Sequence, residues 1–526
     1  MRRIHPFLEN DIRYQIQLLD YLYNKESQWV SIDELANEIG LQVRAVTKYI
    51  LSIKEVIELN YYGKLFLEMQ GNQFFKLGIS YNKYFFELRG EVIEKSLNIL
   101  ILKKLFFFNE LNIVKFSLES FVSLSTIKRK IKRLNSVVQS FNFKISSRDN
   151  IYRLVGTETN IRFFFSFLFM NIYSGGKWPF FNIDQTKIFK LVEDISADLS
   201  LPVTYSLKNK IAYNHAIGIT RYFHNETIVL ERKEEWNKII KINNKLAESL
   251  SINVITLLKE NYLLSESEAQ HEFSRIQIGQ SFYQDQTVSI KAIELHSQYE
   301  TSIYKASQHF LELFEKYAEI KLSDSLKRQV MITTLCGHYK AFLYREMPLM
   351  KQDTDGILNH YHSLKSFVEK IYNELLDKED SFLATQKNFL INQYMYVLSE
   401  ILPLNYFESV ISIYFDDPID RTRENLVKKM LVNFFQEPFN LRVYGPSDVL
   451  FFDKTNIDLV LSAIYTEEII DNYPNTPIIF VKFGILNLSE DEILLLKEAL
   501  SIISENKQDK FKLKEEFKKN RKIFIN

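Results

Sequence analysis

One cysteine, Cys336, stands among 526 residues. That excludes a disulfide framework and a cysteine-based metal centre, and makes a reducing cytoplasm the expected setting. Glycine and proline are scarce, at 14 and 10, so the chain is expected to be mainly helical with short connections. Apolar runs are short. The most apolar, "IRFFFSFLFMNIY" (161–173), is too short to span a bilayer and reads as a buried helix. The opening "MRRIHPFLENDIRYQ" lacks the apolar core of a signal peptide, so no membrane partner is expected. No H-E-x-x-H or C-x-x-C spacing occurs, so neither a metal nor another cofactor is expected. Net charge is also missing, but only in sum. Residues 1–160 carry 23 basic and 17 acidic side chains, a balance of +6, and residues 111–160 alone carry 9 and 3. A basic end on a neutral chain points to a polyanionic partner there.

What is present begins with "SIDELANEIGLQVRAVTKYILSIKEVI" (31–57). Ser31 and Glu34 have capping-box spacing at the start of a helix. Gly40 and Leu41 suit a turn. Val43, Val46, Ile50, Ile53 and Ile57 then recur at helical spacing, predicting a buried stripe, while Gln42, Arg44, Thr47, Lys48 and Lys54 lie outside it. "YYGKLFLEMQGNQFFKLG" follows as two apolar-rich runs around Gly71-Asn72, a predicted two-stranded wing. The pattern returns 81 residues later: Ile127, Ile131 and Leu134 in "FVSLSTIKRKIKRLNSVV" take the places of Val46, Ile50 and Ile53. The outward positions now hold Lys128, Arg129, Lys130, Lys132 and Arg133, and a second wing is predicted from "FNFKIS" and "IYRLVG" around "SRDN". Before the turn the match is loose, with Phe121 in place of Gly40. A single basic amphipathic helix is more often a solvated face than a DNA reader. Tandem copies with wings and a local positive excess favour double-stranded DNA, with phosphate contacts giving grip and base contacts giving choice of site.

"LVGTETNIRFFFSFLF" (154–169), directly after the second wing, resembles the junction in regulators that carry phosphotransferase-system regulation domains (PRDs). Together with "FLENDIRYQIQLLDYL", the tandem winged helices and "GGKWPFF", the order of motifs resembles the Mga/AtxA family of virulence transcription regulators from Gram-positive bacteria over essentially the whole chain. The resemblance implies an activator built from five segments. These are a winged helix-turn-helix at 1–85, a second at 86–159, helical PRD-like domains at 160–285 and 286–402, and an α/β domain with a charged tail at 403–526.

Two passages in the helical blocks have similar form. "KNKIAYNHAIGITRYFH" contains His215 and Arg221, and "VMITTLCGHYKAFLYRE" contains His338 and Arg345. The resemblance implies that His215 and His338 accept phosphoryl groups from enzyme I and HPr of the sugar phosphotransferase system, with His271 a third candidate. An imidazole with a pKa of about 6.5 is a competent nucleophile near neutral pH, and the product would add about −1.5 to −2 charge. The bland alternative is hydrogen-bonded core histidines; His224, His296, His309, His360 and His362 read as surface or structural residues.

From Tyr406 strands alternate with helices: "SVISIYF", "RTRENLVKKMLVNFF", "FNLRVYG", "IDLVLSAIY", "NTPIIFVKFG", "SEDEILLLKEALSII". This predicts a parallel sheet covered by helices and resembles the EIIB domain of sugar phosphotransferase enzymes. The loop after the first strand, where an active EIIB carries its cysteine, here reads "FDDPIDRTRE". The thiol chemistry is absent, so self-association is the expected role. The alternative from another class is a phosphotransferase-system phosphocarrier or a protein-binding adaptor.

Overall fold

The computed structural model describes residues 2–173, 175–201, 204–229, 232–344, 361–378, 382–435, 437–450, 453–482 and 485–508. Arg345, His360, the His362 side chain and most of the charged tail lie outside the described residues. The chain divides into two compact units. One holds residues up to 305 with a segment from 335; the other holds 306–334 and the C-terminal part.

The first unit opens with α1 (Asn10–Asn24) and then repeats one arrangement. Strand β1 (Val30–Ser31) leads into α2 (Ile32–Ile39), a turn, α3 (Val43–Asn60) and the hairpin β2 (Leu65–Gln70) and β3 (Phe74–Ile79). After α4 (Asn82–Glu94) and α5 (Leu97–Phe108), strand β4 (Leu111–Asn112) leads into α6 (Ile113–Ser120), α7 (Leu124–Val138) and the hairpin β5 (Phe143–Arg148) and β6 (Ile151–Gly156). Both sheets are antiparallel, with the short leading strand beside the second hairpin strand: β1-β3-β2 and β4-β6-β5. The 81-residue offset relates both ends of α2 to those of α6, and the start of α3 to that of α7. It fails at the hairpins because α7 has 15 residues against 18 in α3.

The looseness before the second turn disappears in the backbone. Gly40 sits at φ 70° and Phe121 at φ 55°, both left-handed helix ends. Leu41 N–H reaches back to Ala36 C=O at 3.0 Å, and Val122 N–H to Ser117 C=O at 3.2 Å, the same bond 81 residues on. Phe121 accepts a conformation costly for a side chain with a Cβ, and its ring stands in solvent.

Two expected boundaries fall inside continuous helices. The one at 85/86 cuts α4, and the one at 159/160 cuts α8 (Glu158–Tyr173). Helix α8 is buried nearly all round, as its Phe-rich sequence predicts. Phe165 and Phe169 pack on Phe106 of α5 with ring centroids 4.7 and 4.9 Å apart. Helices α9 (Gln185–Asp198), α10 (Tyr205–Phe223), α11 (Lys233–Leu250), α12 (Val254–Tyr262), α13 (Glu266–Gln277) and α14 (Gln286–Gln298) complete this unit's helical block, with α10 against α8 and α9. The expected start of the next segment at 286 coincides with the start of α14, capped by Asp285. Helices α15 (Ser302–Ala318) and α16 (Asp324–Leu343) each pass from one unit's residues to the other's.

In the second unit α17 (His362–Lys378) packs on α18 (Lys387–Ser399). Then come β7 (Val410–Asp416), α19 (Arg421–Phe435), β8 (Asn440–Tyr444), β9 (Leu459–Ser462), α20 (Glu467–Asn472), β10 (Ile478–Phe480) and α21 (Glu490–Gln508). The strands form a parallel sheet, as the alternation predicts, in the order β10-β9-β7-β8. Among the described residues the β8–β9 crossover carries only single 3₁₀ turns instead of an α-helix. The sheet has its own core, from Ile411, Ile413 and Phe415 through Val427 and Leu431 to Leu496 and Leu500.

Candidate nucleic-acid interface and buried histidine cluster

Ser31 caps α2 by accepting from Glu34 N–H at 3.1 Å. The reciprocal half of the expected capping box is not made; the Glu34 carboxylate takes the Tyr21 hydroxyl at 2.6 Å. Val46, Ile50, Ile53 and Ile57 of α3 are buried as expected, but Val43 is 40% exposed, because it is the first helical residue and the stripe meets the core only one turn later. Arg44 and Lys48 are exposed. Gln42 is the exposed N-cap residue. Thr47 is half-buried and its hydroxyl donates to Val43 C=O at 2.9 Å, so it is occupied within its own helix.

In the second copy Ile127, Ile131 and Leu134 are buried and Ser123 caps α7 through Thr126 N–H. Lys128, Arg129, Lys132 and Arg133 are exposed, and none is ion-paired among the described residues. Lys130 departs from the expectation. It flanks the buried stripe and pairs with Glu9 at 2.7 Å, largely shielded from solvent.

The three candidate histidines are all buried: His215 is 2% exposed, His271 1% and His338 0%. His215 lies in α10, where its Nδ1–H donates to Glu272 Oε2 of α13 at 2.8 Å; its Nε2 is buried without a hydrogen-bond partner. Gly218, a turn along α10, makes the approach possible. A Cβ there would stand 2.8 Å from Glu272 Oε1. His271 neighbours Glu272 at 3.8 Å, and burial pushes its pKa down. Arg275 Nη1 donates to Glu272 at 3.1 Å. Burial alone would raise the Glu272 carboxyl, yet Arg275 and the two histidines hold it well below the usual carboxylate range. His338 belongs to α16 in the same unit, and burial drives its pKa to about 3. Its helix neighbours Cys336 and Tyr339 bond to Gln277 C=O and the Ser274 hydroxyl of α13, so it packs with the first helical block rather than forming a separate equivalent of His215.

Sequence reading missed the ion pairs that surround this cluster. Arg162, 1% exposed, donates to Glu158 at 3.0 Å and to Glu268 at 2.7 Å, and approaches Glu272 at 3.9 Å. Arg221 grips both Glu158 oxygens at 2.9 and 2.8 Å. A charged residue inside a Phe-rich run was the available signal, since buried charge must be paired.

In the second unit Asp416 is pushed up by burial and by neighbouring Asp417, while Asp417 Oδ2 accepts from Ile485 N–H and Asp420 caps α19. No cysteine stands in this loop, and buried Cys336 has its thiol pushed up by desolvation. Among the described residues no group of side chains could hold a metal ion, and no helix is long and apolar enough to cross a membrane.

Residues 81–169 match the Mga helix-turn-helix domain family. The chain is 21% identical over 386 residues to the capsule synthesis positive regulator AcpA of Bacillus anthracis, covering 70% of this chain and 75% of that protein. It is 23% identical over 248 residues to the anthrax toxin expression trans-acting positive regulator of the same organism, covering 45% and 50%. The matched helix-turn-helix domain contains α6 and α7 with their hairpin. These similarities, a Mga helix-turn-helix domain and relatives named as positive regulators, support the Mga/AtxA family of virulence regulators for this chain.

Proposed function

We propose that this protein is a cytoplasmic transcription activator that grips promoter DNA with two winged helices and is tuned by phosphotransferase-system phosphorylation and by self-association. The observation that carries the DNA reading is the repeat: two helix-turn-helix units with hairpins, the second presenting Lys128, Arg129, Lys132 and Arg133 on one exposed face. The first unit, with Arg44 and Lys48 and fewer charges, is the one suited to base contacts. Positive regulation is taken from the names of the relatives.

The five segments inferred from sequence serve in this reading as DNA-binding, PRD-like and EIIB-like modules. Enzyme I and HPr would modify His215 and His338, with His271 as a third acceptor. The Glu272 carboxylate orients the His215 ring and leaves Nε2 as the acceptor nitrogen. Because the ring is buried, α10 and α13 must part before a donor protein reaches it. Purified chain incubated with phosphoenolpyruvate, enzyme I and HPr is expected to gain acid-labile phosphate, and to gain much less with His215→Ala/His338→Ala. No label on the native chain, or equal label on the double variant, would return these residues to a structural role.

Self-association is assigned to the C-terminal sheet because its core is self-contained and its first loop has aspartates instead of a thiol. Removing residues 403–526 is expected to leave a folded N-terminal part that associates less and activates poorly. An unchanged oligomer distribution in sedimentation velocity would contradict that role.

A further inference from the structure

The second helix-turn-helix unit is tied to the histidine cluster at both of its ends, and by one guanidinium. Its leading end is Asn109, the left-handed residue that closes α5 at φ 59° just before β4. Asn109 Oδ1 accepts from Arg221 Nη1 at 3.0 Å, and its Nδ2 donates to Glu226 at 2.7 Å. Just upstream, Phe107 C=O meets His224 Nε2 at 2.9 Å. The trailing end is Glu158, which starts α8 two residues after β6 and takes Arg221 in a two-pronged grip. Arg221 and His215 lie six residues apart on α10.

Glu158 is shared. Its Oε1 also accepts from Arg162, which holds Glu268 and stands near Glu272, the partner of His215. Three arginines and three glutamates, Arg162, Arg221, Arg275, Glu158, Glu268 and Glu272, thus balance in a buried space. A negative charge placed at His215 would repel Glu272 and attract Arg162. Arg162 would then relax its hold on Glu158, and Arg221 would be left to repartition between Glu158 and Asn109. In a low-dielectric interior such charge–charge interactions are much stronger than in water.

We propose that Arg221 is the positioning residue through which the charge state of the His215–Glu272 pair sets the pose of the second helix-turn-helix unit, with Asn109 and Glu158 as its two handles. This rests on reading His215 as the switch, but its test contains no phosphoryl donor, so failed phosphate labelling and failure of this coupling are distinguishable.

The test is a cycle of full-length variants binding a mixed-sequence DNA duplex at low salt. His215→Asp supplies the charge. Asn109→Gly removes one handle while keeping a residue at home in the left-handed conformation. His215→Asp is expected to change the duplex Kd by about five-fold or more, the lower range for coupled sites. In the Asn109→Gly background the same substitution should change it less than about two-fold. A merely structural Asn109 would give equal shifts in both backgrounds, which overturns the proposal, as does no shift in the native background. If His215→Asp does not fold, Glu272→Gln removes charge from the same pair while keeping its shape, and takes its place in the cycle.

Discussion

Arg162→Met is expected to lower unfolding stability by about 3–5 kcal/mol, the usual cost of removing one partner from a buried ionic network. The loss is large because Arg162 is almost wholly buried and serves Glu158, Glu268 and the carbonyl of Glu226. Without it, among the described residues Glu268 keeps the Ile228 N–H as its hydrogen-bond donor from outside α13, and Glu158 keeps Arg221. Adding Glu268→Gln should recover part of the loss, since the stranded charge is removed. The exposed pair Arg153–Glu110 provides the contrast. Its Arg153→Ala variant should cost no more than about 1 kcal/mol, because solvent screens such pairs. Urea midpoints followed by a probe in the first unit measure all three. A loss for Arg162→Met as small as that for Arg153→Ala would mean the buried network is not holding α8 to α13.

The reach of the sequence is clearest where interactions are local. Ser123 and Ser31 cap the helices they precede, and Val46, Ile50, Ile53 and their counterparts Ile127, Ile131 and Leu134 are buried because a 3.6-residue period dictates it. Alternation of strands and helices after Tyr406 likewise fixes a parallel sheet, since parallel neighbours need crossovers. Strand order does not follow from that pattern, because β7 sits in the middle through contacts far apart in sequence. Leading strands of two residues, β1 and β4, are too short to carry a period. Phe121 loosened the match at the second turn, since the left-handed site is advertised by glycine and not by phenylalanine.

At the candidate site the gap was of another kind. Periodicity placed Lys130 on the solvent side of α7, but Glu9, 121 residues away, claims it. Burial of His215 and its Glu272 partner depends on a contact between α10 and α13, 57 residues apart. Nothing in either segment alone announces that meeting, although Gly218 within α10 marks a close approach once Glu272 is known.

Replacing Lys128, Arg129, Lys132 and Arg133 together with alanine should weaken binding to every duplex, whatever its sequence, and flatten the salt dependence. All four side chains are exposed on α7, with no carboxylate competing for them among the described residues. Each cation that no longer meets a phosphate should reduce the slope of log K against log salt by about 0.9, so up to about 3.6 is expected if all four touch phosphate. At low salt that amounts to a loss of about 100-fold or more. Fold should survive, since none of the four contributes to the core. Lys130→Ala, by contrast, should leave the slope nearly unchanged and act by breaking the Glu9 pair. A shared loss across sequences would mark α7 as grip; altered preference between sequences with Arg44→Ala or Lys48→Ala would mark α3 as reader.

The proposed function requires that the winged helices bind double-stranded DNA through phosphate-directed cations. The most direct measurement is the affinity of the full-length native protein for a DNA duplex at about 50 mM and about 200 mM salt. Measurable binding is expected at the lower concentration and a steep fall at the higher one, with a log–log slope of about −3 or steeper. Absence of duplex binding at low salt, or an affinity that does not change with salt, would contradict it.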